Sequence, residues 1–171
     1  MFRKIGLKIR SKRLAKAYRQ PNEMVGFDRA SKIGILIPDL EKNKEVISKL
    51  IQTLKKEGKE VQVLTYHSGK KELSVKFDHG AISKKDLSWM GKVKSYNVKK
   101  FIKTDFDYLF SLNTSPFLPF ESILATSNAK CRVGMYHERK KNYFDLMIHA
   151  DKKKGLGDLA EQMIFYTKKI N

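Results

Sequence analysis

The chain contains 171 residues, and its 36 Lys and Arg against 18 Asp and Glu give a formal net charge of +18. Hydrophobic residues make up 41 % of it, which suits one compact domain with a short appendage and excludes a wholly disordered chain. A positive excess of this size predicts a polyanionic partner, for which nucleic acid is the commonest choice and an anionic membrane surface the second.

The first 22 residues form a basic segment in which eight cations precede the first acid, Glu23. These residues are good helix formers and Pro21 would end a helix, so we expect a basic helical arm over 1–22. Its apolar side chains fall in two partial stripes instead of the wide face of a membrane-surface helix, which favours contact with phosphates, although a solvated tail is the simpler alternative. The candidate RNA-binding residues of the arm are Arg3, Lys4, Lys8, Arg10, Lys12, Arg13, Lys16 and Arg19.

From Ser31 onwards, short apolar runs alternate with amphipathic segments. The runs at 32–37 and 60–66 predict strands on either side of a helix over 41–57, which is a right-handed βαβ unit. Further strands are predicted at 106–112, 130–135 and 144–148, and further helices at 119–127 and 156–170. The middle is expected to be less regular, with a short strand at 73–77 and a helix start at 83–86. Residues 23–171 therefore predict a Rossmann-like α/β domain with an open, mostly parallel sheet and helices on both faces.

The sequence offers little for catalysis or metal binding. The four histidines, at positions 67, 79, 137 and 149, lack the i,i+4 spacing of helix-borne ligands, and we expect no metal site. The single cysteine, Cys131, rules out an internal disulfide and falls in a predicted buried strand. Asp105, Asp107 and Asp145 flank strands, where acids are common. We predict no catalytic residue and no cofactor, in a reduced, cytoplasmic chain without a membrane span or signal peptide.

Two loops of the sequence bear on phosphate binding. Gly155-Leu156-Gly157 follows three lysines and precedes a predicted helix, but it lacks the third glycine of a dinucleotide fingerprint and the Lys-Ser/Thr of a P-loop. The turn after the first strand, residues 38–42, has two acids and no glycine, which argues against pyrophosphate there.

The segments at 106–112 and 129–135 resemble the N-terminal half of heptosyltransferase-type glycosyltransferases, in which an aromatic-Asp strand and a helix precede a basic Arg-x-Gly strand. The likeness covers about 30 residues and implies a Rossmann-like sheet. It does not imply the activity, because a chain of this length lacks room for the second, nucleotide-sugar half.

A second resemblance covers nearly the whole chain. The basic start, Ser31–Leu36, Lys84–Lys92, Ala129–Gly134 and Tyr143–Ile148 together resemble a family of small basic proteins of the Bacteroidetes, identified as including the lineage-specific extra protein of the large ribosomal subunit. That resemblance implies ribosomal RNA and neighbouring ribosomal proteins as partners, and no catalytic residues.

The leading prediction is therefore a structural ribosomal protein that neutralises backbone phosphates. The folded body would add a second patch, with Trp89 and Tyr96 as possible stacking residues. Its candidate RNA-binding residues are Lys84, Lys85, Lys92, Lys94, Arg139, Lys140 and Lys141. No membrane, small-molecule substrate or homo-oligomer is predicted.

Two other functions stay open at this point. One is a degenerate glycosyltransferase-like or nucleotide-binding enzyme, with a pocket near Asp39, Asn113 and Gly134 at the carboxyl ends of the strands. The other is a peripheral membrane protein that uses the arm on anionic lipid.

Overall fold

The computed structural model describes residues 24–67, 79–88 and 92–170. Within these ranges the strands are β1 (Lys32–Ile37), β2 (Glu60–His67), β3 (His79–Ser83), β4 (Tyr108–Ser111), β5 (Cys131–Met135) and β6 (Leu146–Ile148). The α-helices are α1 (Lys44–Lys56), α2 (Tyr96–Lys103), α3 (Leu118–Thr126) and α4 (Gly155–Thr167). The predicted arm over 1–22 and the predicted strand over 73–77 lie outside the described residues.

The six described strands form one sheet in the order β3-β2-β1-β4-β5-β6, and every pairing is parallel. This is the strand order of Rossmann-like folds, so the predicted open α/β architecture is confirmed. Because the strands run in one direction, all of them end at one edge of the sheet, here called the carboxyl edge, and begin at the opposite, amino edge.

Helices cover both faces of the sheet. Because successive residues of a strand point to opposite faces, each central strand contributes side chains to two cores. On one face Ile33, Ile35 and Ile37 of β1 belong to the core beneath α1 and α4. On the other face Leu36 of β1 and Leu109 of β4 belong to the core beneath α2 and α3. The near-continuous apolar runs of the central strands follow from this burial on both sides.

The middle of the chain differs most from the sequence-based expectation. The helix expected to start at Ser83 is wrong: the chain makes a single 3₁₀ turn, Lys84–Asp86, and Leu87 is already extended. Strand β3 and helix α2 were not predicted at all. The helix expected over 41–57 begins with a 3₁₀ turn, Glu41–Asn43, before α1. The other predicted strands and helices are confirmed to within about three residues at their ends.

Lys59, directly before β2, is buried with only 7 % of its surface exposed. Its Nζ lies 5.0 Å from the centre of the Phe27 ring. The ammonium donates hydrogen bonds to three backbone carbonyls, those of Phe27 (2.8 Å), Asp28 (3.2 Å) and Ala30 (2.8 Å). These carbonyls take the role that a carboxylate usually plays for a buried lysine, and they fasten the segment before β1 to the sheet.

Replacing this lysine tests that role. Lys59→Met keeps a long apolar stem but leaves the three carbonyls without their donor, so the free energy of unfolding should fall by about 2–3 kcal/mol. Urea denaturation measures the change. Lys56→Met, at an exposed position at the end of α1, is the control and should stay within about 0.5 kcal/mol of wild type. Equal effects of the two substitutions would contradict the assignment.

Asp107 joins the starts of three strands at the amino edge. Its Oδ2 accepts hydrogen bonds from the backbone N–H groups of Ser31 (2.7 Å) and Lys32 (3.0 Å), and its Oδ1 accepts one from Lys130 Nζ (2.8 Å). Burial raises the pKa of this carboxyl, but the hydrogen bonds from Lys130 and the two backbone groups outweigh burial and lower the pKa from 3.8 to about 2. The ionised form therefore holds β1, β4 and β5 in register.

The lowered pKa predicts a pH-dependent stability. Because the folded-state pKa of Asp107 is below the unfolded one, its contribution is complete above about pH 4 and is lost as the pH falls towards 2, a change of about 2 kcal/mol. Asp107→Asn cannot ionise, so the stability gap between wild type and variant should narrow by that amount between pH 5 and pH 2. Urea denaturation at stepped pH checks this, and a gap that does not change with pH would contradict it.

Candidate nucleic-acid interface

The first candidate lysines of the body follow β3 at the carboxyl edge. Ser83 caps the 3₁₀ turn Lys84–Asp86, and Asp86 Oδ2 in return accepts hydrogen bonds from the backbone N–H and the hydroxyl of Ser83, both at 2.7 Å. This capping box fixes the turn. Lys84 and Lys85 are consequently held on an exposed, defined element.

The chain then doubles back and returns two more candidates to the same place. Leu87 and Val93 form an isolated antiparallel bridge. The Lys94 N–H donates to the Asp86 carbonyl at 2.7 Å, and the Ser88 N–H donates to the Lys92 carbonyl at 2.9 Å. The structure thus brings together Lys84, Lys85, Lys92 and Lys94, which are four of the predicted residues.

Helix α2 extends this group of cations. Ser95 caps the helix by accepting a hydrogen bond from the Val98 N–H, and the inward side buries Val98, Phe101 and Ile102. The opposite side exposes residues at i, i+3, i+4 and i+7, with Tyr96 78 % exposed. We call the combined surface the lysine face; it comprises Lys84, Lys85, Lys92, Lys94, Tyr96, Lys99, Lys100 and Lys103.

Six lysines of the lysine face have no acidic partner among the described residues. The sequence from Leu87 to Thr104 has five lysines and no acid. Among the described residues, none forms a salt bridge with Lys85, Lys92, Lys94, Lys99, Lys100 or Lys103. These ammonium groups can therefore meet phosphates without first giving up an acidic partner.

The second candidate cluster, Arg139-Lys140-Lys141, lies in a 3₁₀ segment, Glu138–Tyr143, after β5. Here the cations are largely engaged. Lys140 pairs with Glu121 of α3 in a contact where both side chains are mostly buried, and Lys141 pairs with Glu138 at 2.7 Å on the surface. The hydrogen bond from Lys141 lowers the pKa of Glu138 and raises that of Lys141. Of this cluster, Arg139 has an exposed side chain and no salt bridge to a described residue.

The two clusters share the carboxyl edge but not the same part of it. The first follows β3 and the second follows β5, with β2, β1 and β4 between them. Strands are spaced by about 4.8 Å, so the clusters are separated by about 19 Å along the edge. The eight predicted cations of the arm lie outside the described residues.

Gly155 and Gly157 lie in the first turn of α4, which follows an exposed 3₁₀ turn, Lys152–Lys154. Gly155 has a positive φ of 80°. The Asp151 carboxylate accepts a hydrogen bond from the Lys153 N–H at 2.9 Å, and Asp158 occupies the first turn of α4. Two acids thus flank the Gly155-Leu156-Gly157 segment, and their negative charge disfavours a phosphate there.

The pocket expected for an enzyme is present, but its volume is far below that of an ordinary ligand pocket. A cavity lined by Asn113, Glu121 and Tyr136 lies at the carboxyl ends of β4 and β5, but its volume is about 40 Å³. That is room for about three water molecules, against the ~300–1,000 Å³ of ordinary ligand pockets. At the expected Gly134 the Phe144 ring fills the space above the backbone, since a Cβ there would lie 2.3 Å from Phe144 Cε1. The geometry therefore gives little support to nucleotide binding at this edge.

The strand-flanking acids and the cysteine have structural surroundings. Asp145 accepts two hydrogen bonds from the guanidinium of the buried Arg132, at 2.9 and 3.1 Å, and Asp105 accepts one from Asn128 at 3.3 Å. Burial raises the pKa of the Cys131 thiol to about 12, which makes it a poor nucleophile at neutral pH. In the described ranges, no three His, Cys, Asp or Glu side chains come together as a metal-binding group. None of the described helices has the length and apolarity that crossing a bilayer requires.

The sequence predicts a less regular middle with no helix over 96–103, and so misses the stripe that Lys99, Lys100 and Lys103 form on α2. A signal was present, because Ser95 is a favoured N-cap residue and Val98, Phe101 and Ile102 have the i, i+3, i+4 spacing of a buried helix face. The run was short and dense in lysine, which concealed the pattern.

Comparison with known proteins identifies the family but not the activity. The chain matches the family of unknown function DUF6913 over residues 3–170. The protein belongs to that family. No curated protein and no solved structure matches it significantly. The description of DUF6913 specifies neither partner nor reaction, so the ribosomal and glycosyltransferase resemblances remain predictions.

The different surroundings of Lys140 and Lys141 predict different costs of removal. Lys140→Met leaves the Glu121 carboxylate buried without its partner and should lower the free energy of unfolding by about 3–5 kcal/mol. Lys141→Met breaks an exposed pair and should cost less than about 1 kcal/mol. Urea denaturation of the two single variants provides the comparison, and similar values for both would show that Lys140 is not a structural cation.

Proposed function

We propose that this protein binds RNA as a structural constituent of the ribosome, on the large subunit, and that it acts by neutralising backbone phosphates. The observation that carries the proposal is the lysine face, where six exposed lysines have no acidic partner among the described residues. Its stripe on α2 is held by buried side chains, so the charges are presented on a fixed element.

Phosphate neutralisation has a definite physical signature. Each lysine that contacts a phosphate releases a condensed counterion, so the logarithm of the affinity falls linearly with the logarithm of the salt concentration. The slope is about 0.7 for each contact with a single strand and about 0.9 for each contact with a duplex. A patch of six lysines would thus give a steep salt dependence, which a mainly apolar interface would not.

Ribosomal RNA is the proposed partner because the chain resembles small basic Bacteroidetes proteins of the large subunit. The net charge of +18 supports a polyanion in general, and the resemblance narrows the choice. In this proposal the arm over 1–22 is a second RNA contact that acts together with the lysine face. The protein would act in the cytoplasm and would not be an enzyme. Its arginines are suited to two-pronged contacts with phosphates.

Charge reversal on α2 tests the proposal. Lys99→Glu, Lys100→Glu and Lys103→Glu together should weaken binding to a fluorescent RNA by at least tenfold at 0.1 M salt and lower the salt slope by about 2. The control reverses Lys44, Lys55 and Lys56, three exposed lysines of α1 on the other side of the sheet. Each reversal removes two charges, so both triple variants carry +12 in place of +18 and differ only in location.

Sedimentation in sucrose gradients tests the ribosomal part in cells. The tagged wild-type protein should travel with the large subunit at low salt, the control variant should follow it, and the α2 variant should shift towards the top. A further variant with the eight arm cations changed to Gln should lose part of the association. If wild type stays at the top of the gradient, the ribosomal proposal is wrong. If both triple variants weaken RNA binding equally, net charge and not the lysine face is responsible.

A further inference from the structure

We propose, on the basis of the RNA-binding function argued above, that a groove beside the lysine face takes one unpaired nucleobase, and that the protein consequently selects single-stranded or looped RNA over duplex. The groove lies between α2 and the neighbouring strands β2 and β3. We call it the α2 groove; its lining residues are Gln62, Val63, Leu64, Gly80, Asn97, Lys100 and Phe101.

The size of the α2 groove suits a nucleobase. Its volume is about 330 Å³, within the ~300–1,000 Å³ of pockets that hold small organic ligands. Gly80 contributes backbone to the groove wall, and a Cβ at that position would lie 3.0 Å from Leu64 Cδ1, so a larger residue there would press on Leu64. The cavity at the carboxyl edge, at about 40 Å³, has no comparable room.

The lining of the groove combines apolar and amide groups in the way that a base requires. Leu64 and Phe101 provide apolar surface for the faces of a flat ring. Gln62 and Asn97 are exposed at its rim, and neither side-chain amide forms a hydrogen bond with a described residue. An amide offers both a donor and an acceptor, which matches the mixed edge of a nucleobase.

The charge next to the groove indicates what accompanies the base. Lys100 belongs both to the groove lining and to the exposed stripe of α2, and Lys99 and Lys103 are its helical neighbours. A base in the groove would bring its own phosphate to Lys100 and the next phosphates to the adjacent lysines. In a duplex the bases are paired and stacked inside the helix, so only the phosphates could be bound; specific RNA recognition accordingly favours unpaired bases.

The experiment compares three polyanions by fluorescence anisotropy or competition at one salt concentration: a single-stranded 12-mer RNA, a 12-bp RNA duplex, and inorganic polyphosphate, which has charge but no bases. Wild type should bind the single strand about tenfold more tightly than the same length of duplex or polyphosphate, as expected for one base inserted against protein surface.

Two variants fill the groove from opposite walls and leave every lysine in place. Asn97→Leu adds an apolar side chain from the helix, and Gly80→Val adds one from the strand. Both should remove most of the tenfold preference while leaving duplex and polyphosphate binding and the salt slope unchanged. Gln52→Leu, at an exposed position of α1, is the matched control and should keep the preference. Circular dichroism and urea denaturation establish that each variant is folded.

The outcomes separate this inference from the proposed function. Equal binding of single strand, duplex and polyphosphate by wild type would overturn the base site, and so would a preference that both folded groove variants retain. In either case the lysine face could still bind phosphates. If instead the charge-reversal variants of α2 bind all three polyanions as wild type does, the RNA-binding function itself fails and the groove with it.

Discussion

Parallel pairing of all six described strands is the constraint on which the surface of this protein depends. A parallel neighbour can be reached only by a connection that crosses a face of the sheet. The connection from β3 to β4 makes this crossing through α2, whose inner side is buried on the sheet. The outer side of α2 is free of packing demands, and the sequence fills it with lysines and Tyr96. The crossover that the fold requires is thus also the element that displays the cations.

The distribution of ion pairs separates cations that maintain the fold from cations that are available to a partner. Lys130 and Lys140 are paired with buried carboxylates, and Arg132 with Asp145. Lys59 is bound by backbone carbonyls. Moving Lys59, Lys130 or Lys140 to an RNA phosphate would leave a buried acceptor unpaired, at a cost of several kcal/mol. Six lysines of the lysine face have no acidic partner among the described residues, which is why this face, and not the cluster at Arg139, is the stronger candidate in the body.

A strand or helix could be predicted from the sequence where its own residues carry the pattern, and not where it depends on contacts with distant residues. The strands at 32–37 and 106–112 were predicted because burial on both faces requires continuous apolar runs, which are visible in one dimension. Strand β3 was not, because Ile82 is the one large, fully buried residue among those of the strand whose side chains the structure describes, and the strand exists through its pairing with β2. A helix of eight residues such as α2 is likewise stabilised by packing more than by propensity.

Some features of the candidate site are likewise visible in the sequence, whereas others arise only from the fold. Composition alone identified the lysines of the body, since a run without acids is visible in the sequence. It could not separate Lys140 from Lys141, because the partner of Lys140 is Glu121, which is 19 positions away and is brought near only by the packing of α3. It also could not reveal the α2 groove, whose lining comes from β2, β3 and α2.

Charge and groove would contribute to binding in different ways, and the difference matters for selectivity. Phosphate contacts give affinity that weakens with salt and does not distinguish one polyanion from another. A base held against Leu64 and Phe101 would add affinity that salt hardly affects, and only an unpaired strand can supply it. Because Lys100 lies at both places, a bound base would fix which phosphate reaches the stripe on α2. The register of the RNA on the lysine face would then follow from the groove, although the charges supply most of the attraction.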